Sequence, residues 1–423
     1  MTRLHRCVLT IVFLLIVSSF SVVRAQDAGA CTPAEGEPLR LGAVFPQQSL
    51  LSAELPQAFQ GAQAMLEAVN VCGGVSGRPV EWMLESARSR DEGEAAALRL
   101  IEAGVPLIVG SGSLAVSEGI REVAEREGVV FWEATEAMRG GQWSFSPRPN
   151  DQQLGSTAAR FALEAAGDGL RVALVYKVGE RGEAIATGVR EGLTTPPLLE
   201  LAYEGRMSNA LPFARQVRDQ AIDTVIVGAF DSDADALWFA LREADANIQR
   251  WIHVGDAGYR QELCRRYVNF EGLFSISATG PLDGDYRAEA LGDLYNEYRR
   301  TYMGMFSEEP MEQADLAAAG VYLLLRLILP EVEGQFTAES IRTAIVETQL
   351  PEATGLMGEG FVFDAVSGTN ANAAAVVQQH RENGFCTVWP AAGATCTGDL
   401  LPFPTWRERA LLEETNTCRD AAC

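Results

Sequence analysis

The sequence predicts an α/β protein of two lobes, each a Rossmann-like unit with helices on both faces of a parallel sheet. Three observations carry that expectation. Short apolar segments alternate with stretches of helical periodicity along most of the chain. The alternation pauses at 144–155, "SFSPRPNDQQLG", and then starts again. At 423 residues the chain is also long for one hydrophobic core and ample for two.

In the first unit "LRLGAVF" at 39–45 alternates apolar residues and reads as a strand, and 58–70 follows with helical periodicity. A second strand at 78–86 leads to a helix at 92–104 that Gly104 ends. "PLIVGSG" at 106–112 is a short buried strand, 115–127 is helical, and "VVFWEAT" at 129–135 opens the next strand. The second unit begins with a helix at 156–166 and the strand "RVALVY" at 171–176. Helices at 182–192, 210–220 and 233–243 alternate with strands at 198–204 and 223–230, and further strands lie at 250–256 and 271–279. Such alternation implies parallel strands joined by helical crossovers. Two units side by side leave a cleft at the carboxyl ends of their strands, where helix N-termini converge and ligands bind.

From 286 to 329 the chain is strongly helical, and Tyr295, Tyr298, Tyr302 and Tyr322 read as helix packing. "GFVFDAVSGTNANAAAVVQQHRENGFCTVWP" at 360–390 reads as strands joined by Gly/Asn-rich turns. The tail beyond Pro390 has little clean periodicity and three cysteines, so it reads as a stapled extension.

The amino terminus sets the compartment. "MTRLHR" carries Arg3 and Arg6, and an apolar run from Cys7 to about Val23 ends at Val23-Arg24-Ala25. A basic start, an apolar stretch and small residues make an export signal at 1–25; a membrane anchor and lipidation at Cys31 are the competing readings. No later stretch reads as long and apolar enough for a second span. Cleavage would take the formal charge from −23 to −26 by removing Arg3, Arg6 and Arg24. That acidity excludes nucleic acid and anionic membranes as default partners. Export permits disulfides, and the mature chain holds an odd set: Cys31, Cys72, Cys264, Cys386, Cys396, Cys418 and Cys423. Proximity suggests Cys386 with Cys396 and Cys418 with Cys423, although spacing does not fix connectivity. With only His5, His253 and His380 as histidines, no zinc cluster is expected, and no cofactor or metal is implied.

The order of these pieces resembles the type I solute-binding proteins of ABC importers, especially the branched-chain amino acid and amide group. "LRLGAVFP", the helix at 58–70 and "NVCGGVSGRPVEW" look like that family's first strand, first helix and Gly-Gly connection. "SRDEGEAAALRLIEAGVPLIVGSGSLAVSEGI", "FSPRPNDQQLG", "DTVIVGAFDSDADALWFALREA" and "WIHVGDAG" continue the match, which spans roughly 37–388. The resemblance implies three crossing segments, with lobe one at about 37–150 plus 281–350 and lobe two at 151–280 plus 351–423. It implies a monomer in the periplasm that closes on a small amino-acid-like or amide solute and presents it to an inner-membrane permease.

The same resemblance nominates cleft residues. "GSGS" at 110–113 places backbone N–H groups near a helix start, where Ser111 and Ser113 either hold a carboxylate or simply cap the helix. In "FWEAT" Thr135 matches a threonine that contacts the solute's head group, while Trp132 and Glu133 depart from the family's proline and small residue. Trp132 would stack on or narrow the pocket, and Glu133 would bind an amine or pair with an arginine. Arg181 stands where amino-acid binders place a lobe-two tyrosine, as a carboxylate clamp or a solvated arginine. Phe230 matches an aromatic at the cleft mouth, or packs in the lobe core. Asp256 replaces the acid, usually glutamate, set against an α-ammonium. Three other functions compete: an enzyme, for which "GSGS" lacks a G-x-S-x-G elbow and an assigned histidine; a sensory receptor; and a carrier of a larger apolar molecule, suggested by Trp132 and Phe230.

Overall fold

The computed structural model describes residues 31–46, 54–135, 138, 140–167, 169–229, 231–254, 271–278, 284–351, 360–373, 375–381, 384–396 and 398–414. The chain opens with β1 (Leu39–Val44), α1 (Glu54–Val71), β2 (Val80–Glu85), α2 (Arg90–Glu102), β3 (Leu107–Gly110), α3 (Leu114–Glu127), β4 (Val130–Glu133) and β5 (Ser144–Phe145). These strands form one parallel sheet in the order β2-β1-β3-β4-β5. Ser89 caps α2 by accepting from the Glu92 N–H, and Gly128 ends α3 in the left-handed conformation. On one face of the sheet Ala96, Leu100, Val116, Ile120 and Val123 of α2 and α3 pack on Val44, Ile108 and Phe131.

The chain then crosses into the second lobe. It forms α4 (Asp151–Ala166), β6 (Val172–Lys177), α5 (Glu180–Gly192), β7 (Leu199–Tyr203), α6 (Leu211–Asp219), β8 (Thr224–Gly228), α7 (Asp231–Glu243), β9 (Arg250–Val254) and β10 (Phe274–Ser277). Asn150 and Gln153 start α4 with a reciprocal capping box. The chain returns to lobe one as α8 (Gly284–Phe306), α9 (Glu312–Tyr322) and α10 (Ala338–Glu347). Gly61 lets α1 lie against α9, since a Cβ there would sit 2.0 Å from the Ala314 carbonyl oxygen. Finally β11 (Val376–Arg381) and β12 (Gly384–Trp389) run antiparallel on the edge of the second sheet, and α11 (Trp406–Glu414) follows. The second sheet has the order β12-β11-β10-β9-β8-β6-β7. Each lobe therefore has its own core: one built on Leu41, Phe145 and Leu324, the other on Val225, Ile252 and Phe274.

Two crossings between the lobes are described, and the side chain of Asn370 binds them together. Its amide donates to the carbonyls of Pro147 and Gly360, both at 3.0 Å, and its oxygen accepts from the N–H groups of Val362 and Asn372. Ser146 and Thr369 form a parallel bridge beside it, and Gln153 donates to the Asn370 carbonyl at 2.6 Å. A buried amide with these four partners leaves little polar surface unsatisfied at the hinge.

Two expectations need correction, and the structure adds two helices and a disulfide that were not expected. Phe361 and Phe363 pack into the lobe-one core against Trp132 and Phe145, so the chain leaves lobe one near Asn370 rather than at 350. Gln313–Glu331 is apolar and long enough to cross a membrane by length and composition, but 72% of its window is buried inside lobe one. A helix at Ala338–Glu347 and another at Trp406–Glu414 were not foreseen. Cys31 is bonded to Cys72, while the Cys386–Cys396 pair is as expected. Cys264, Cys418 and Cys423 lie outside the described residues.

The carboxyl-terminal extension is part of lobe two. Phe403 and Trp406 pack edge-on against Trp238 at 5.4 and 5.2 Å, and Trp251 completes the cluster. Arg409, buried, lies 4.1 Å over the Phe403 ring and donates to the Glu271 carbonyl. Trp406→Ala should therefore cost about 3 kcal/mol in urea unfolding, as a large buried side chain removed from a packed cluster does. Exposed Arg407→Ala is the control, expected to change stability by less than about 0.5 kcal/mol.

Candidate binding cleft

The carboxyl ends of β3 and β4 are adjacent, with Gly110 paired to Glu133, so the loop after each strand meets the other. Glu133 is fully buried, and its carboxylate gathers the loop. It accepts from the Ser111 N–H at 3.0–3.1 Å, the Thr135 N–H at 2.9 Å, the Thr135 hydroxyl at 2.8 Å and the Ser117 hydroxyl. Ser111, also buried, spends its hydroxyl internally: it lies 2.8 Å from Ser117 Oγ, donates towards the Ser113 carbonyl and accepts from the Ser113 N–H. Gly112 closes the turn at φ +75°, and a Cβ there would come within 2.6 Å of Ala58 in α1.

What faces outward is therefore short. Ser113 begins α3, is half-buried, and makes no capping bond with its side chain. The N–H groups of Leu114, Ala115 and Val116 have no acceptor among the described residues, the normal condition of a helix start. Thr135 has its proton directed to Glu133, so its oxygen offers only lone pairs. This corner of lobe one thus carries donors on one side and an acceptor on the other.

Strand periodicity explains where the remaining lobe-one candidates lie. In β4, Phe131 and Glu133 point towards α3, and Trp132 and Ala134 towards the opposite face. Trp132 is completely buried in the lobe core, donates to the Gly320 carbonyl at 2.9 Å and meets Phe363 edge-on. It is a core residue, not a pocket wall. Glu133 and Ser111 are likewise buried supports, not ligand-facing groups.

Across the cleft, Arg181 at the start of α5 pairs with Asp151 at the start of α4, 3.1 Å away. It neighbours buried His253, whose pKa is pushed down to about 3, first by burial and then by the Arg181 charge. Asp233 fixes the adjacent edge, accepting from the Tyr203 hydroxyl and the Met207 N–H, each at 3.0 Å. Burial, then the Asp233 charge, raises the Tyr203 pKa. Phe230 and Asp256 lie outside the described residues.

A groove of about 840 Å³ runs between the lobes. Leu114, Glu118, Arg121 and Glu125 of α3 form its lobe-one wall. The starts of α4 and α5, with Asp151 and Arg181, form its lobe-two wall, and the hinge strands near Gly141 and Ser367 form its base. The sequence reading missed Arg121 and Asn370. The 114/118/121/125 spacing marks one helix face, which is the signal that was available for Arg121.

Two lobes with separate cores, joined at Asn370 beside a groove that both line, are the architecture of a solute-binding protein. Residues 38–384 match the family model described as periplasmic binding protein, and the chain belongs to that family. It is 21% identical to the Leu/Ile/Val-binding protein homolog 8 of Brucella suis, over 90% of this chain and 97% of that protein. Two solved structures share the fold. The ABC transporter substrate-binding protein of Desulfitobacterium hafniense in complex with Leu has a TM-score of 0.63 at 17% identity, covering 83% of this chain and all of that one. The closed leucine-, isoleucine-, valine-, threonine- and alanine-binding protein of Brucella ovis has a TM-score of 0.61 at 17% identity, covering 88% and 97%.

Glu133→Gln should cost about 2 kcal/mol in denaturant unfolding, because it replaces a charged acceptor with an amide that turns donors towards donors. The buried imidazoles give a pH prediction. Folding pushes His253 down to about 3 and His380 down to about 4, the latter by burial and then by the Arg409 charge, from the 6.5 of an ordinary imidazole. Their depressed pKa values mean that the unfolded chain takes up protons first, so stability falls as pH drops from about 6.5 towards those values. His380→Gln should reduce the loss between pH 7.5 and pH 5 by about 2 kcal/mol, measured by urea titration at each pH.

Proposed function

We propose that this chain is the exported solute-binding component of an ABC import system and takes a small amino-acid-like or amide solute between its lobes. The observation that carries this reading is the groove walled by both lobes beside the Asn370 hinge. The chemistry of the lobe-one corner supports an amino-acid-like head. Ser113 and the free N–H groups of the first turn of α3 suit a carboxylate, and the Thr135 oxygen suits an ammonium or amide N–H. The names of the relatives, which speak of leucine, isoleucine and valine, agree with that head group.

Export rests on the basic and apolar amino terminus, and the Cys31–Cys72 and Cys386–Cys396 disulfides favour an oxidising compartment such as the periplasm. The first of these pairs occupies the thiol that lipidation would need. The chain then works as a soluble monomer that hands its solute to an inner-membrane permease. The apolar-carrier alternative loses one of its two supports, because Trp132 is in the core.

Thermal denaturation of the refolded mature protein against amino acids, amides, ureas and small carboxylates tests this reading, since a native-state ligand raises the midpoint. A saturable shift with a zwitterionic or amide solute is expected, weakened about tenfold or more in affinity by Thr135→Val, which removes the acceptor. Shifts with apolar compounds alone would reject it.

A further inference from the structure

Of the two arginines that line the groove, Arg121 is the one without a partner among the described residues. Glu125 is committed to the N–H groups of Gln142 and Trp143, at 3.0 and 2.9 Å, and Asp151 to Arg181. Arg121 makes no hydrogen bond or ion pair among the described residues, although it is half-buried and its Nε is shut off from solvent. Glu118, three residues back on the same helix, forms no ion pair with it either. The Nε–H of this guanidinium has lost water without gaining an acceptor, a cost that an arriving anion would offset.

Arg121 lies seven residues beyond Leu114 along α3, about 10 Å down the helix axis from the Ser113–Thr135 corner. Leu114, the chain neighbour of Ser113, lines the same groove as Arg121 and Glu125. We propose that Arg121 receives a second, distal carboxylate of the solute, so that the groove takes an elongated acid with polar ends about 10 Å apart. This rests on the solute-binding reading above and narrows its substrate class. Glu118, Glu125, Asp151 and Glu180 share the groove with only Arg121 and Arg181, which favours a singly charged carboxylate over a phosphate. Arg181, on the opposite wall, adds positive potential as the lobes approach.

Calorimetric titration of the refolded mature protein with L-2-aminosuberate and L-2-aminooctanoate tests the proposal, because the two differ only in the distal carboxylate; L-leucine serves as the head-only probe. Wild type should bind aminosuberate at least tenfold more tightly than aminooctanoate. Arg121→Gln should erase that ratio, and Arg121→Lys should keep part of it. Unliganded Arg121→Gln should melt no lower than wild type, since it loses an unpaired donor. A ratio near one in wild type, a ratio preserved in Arg121→Gln, or a fall of several degrees in the unliganded midpoint would each overturn the assignment. If leucine binds and aminosuberate does not, the distal-acid proposal alone fails. If none of the three binds, the amino-acid reading fails and takes this proposal with it.

Discussion

The buried carboxylate of Glu133 is the interaction on which the cleft depends. A charge removed from water must be met by hydrogen-bond donors, and the donors here come from three separate places: Ser111 after β3, Ser117 inside α3 and Thr135 after β4. Satisfying the carboxylate therefore fixes two loops and a helix start relative to one another. It also decides which atoms are left for a solute. Ser111 and Ser117 are consumed, Thr135 is turned into an acceptor, and the first turn of α3 keeps its free N–H groups. This corner is thus assembled without a ligand, and preorganisation of that kind lowers the ordering cost of binding.

A rigid corner is useful only if something else can move. The cores of the lobes are separate, and the described crossings meet at Asn370, joined by its bond to the Pro147 carbonyl, by Gln153 and by the Ser146–Thr369 bridge. Motion about such a pin changes the groove between the lobes and leaves each interior intact. The disulfides lie away from it: Cys31–Cys72 ties the amino-terminal segment to the end of α1, and Cys386–Cys396 ties β12 to the extension. The extension itself is held on lobe two by Phe403, Trp406 and Arg409, so it moves with that lobe.

The sheets were legible in the sequence because buried parallel strands are nearly continuous apolar runs, as in "PLIVG" and "TVIVG". That same burial on both faces hid the directions of Trp132 and Glu133, since alternation cannot say which of two covered faces a residue takes. Glu133 also reads as a surface charge until its donor Ser111, twenty-two residues away, is seen beside it. Asn370 sits in "SGTNANA", which reads as a plain turn, and its role arises only from contact with Pro147 on the other crossing. The helix at Trp406–Glu414 escaped notice because it opens on buried Trp406 and Arg409 around exposed Arg407 and Glu408, too short a stretch to give a clear apolar period. Arg181 lines the groove, and the groove arginine without a partner among the described residues is Arg121, a property that only the packed groove displays.

The most direct measurement is native mass spectrometry of the mature protein purified under gentle conditions from an exporting host, followed by denaturation and identification of what is released. The account predicts one small solute per chain, carrying an amine or amide head and a carboxylate, retained by the native protein and lost on unfolding. A chain that emerges bare from rich medium and releases no small polar molecule would contradict the claim that these lobes close on a solute.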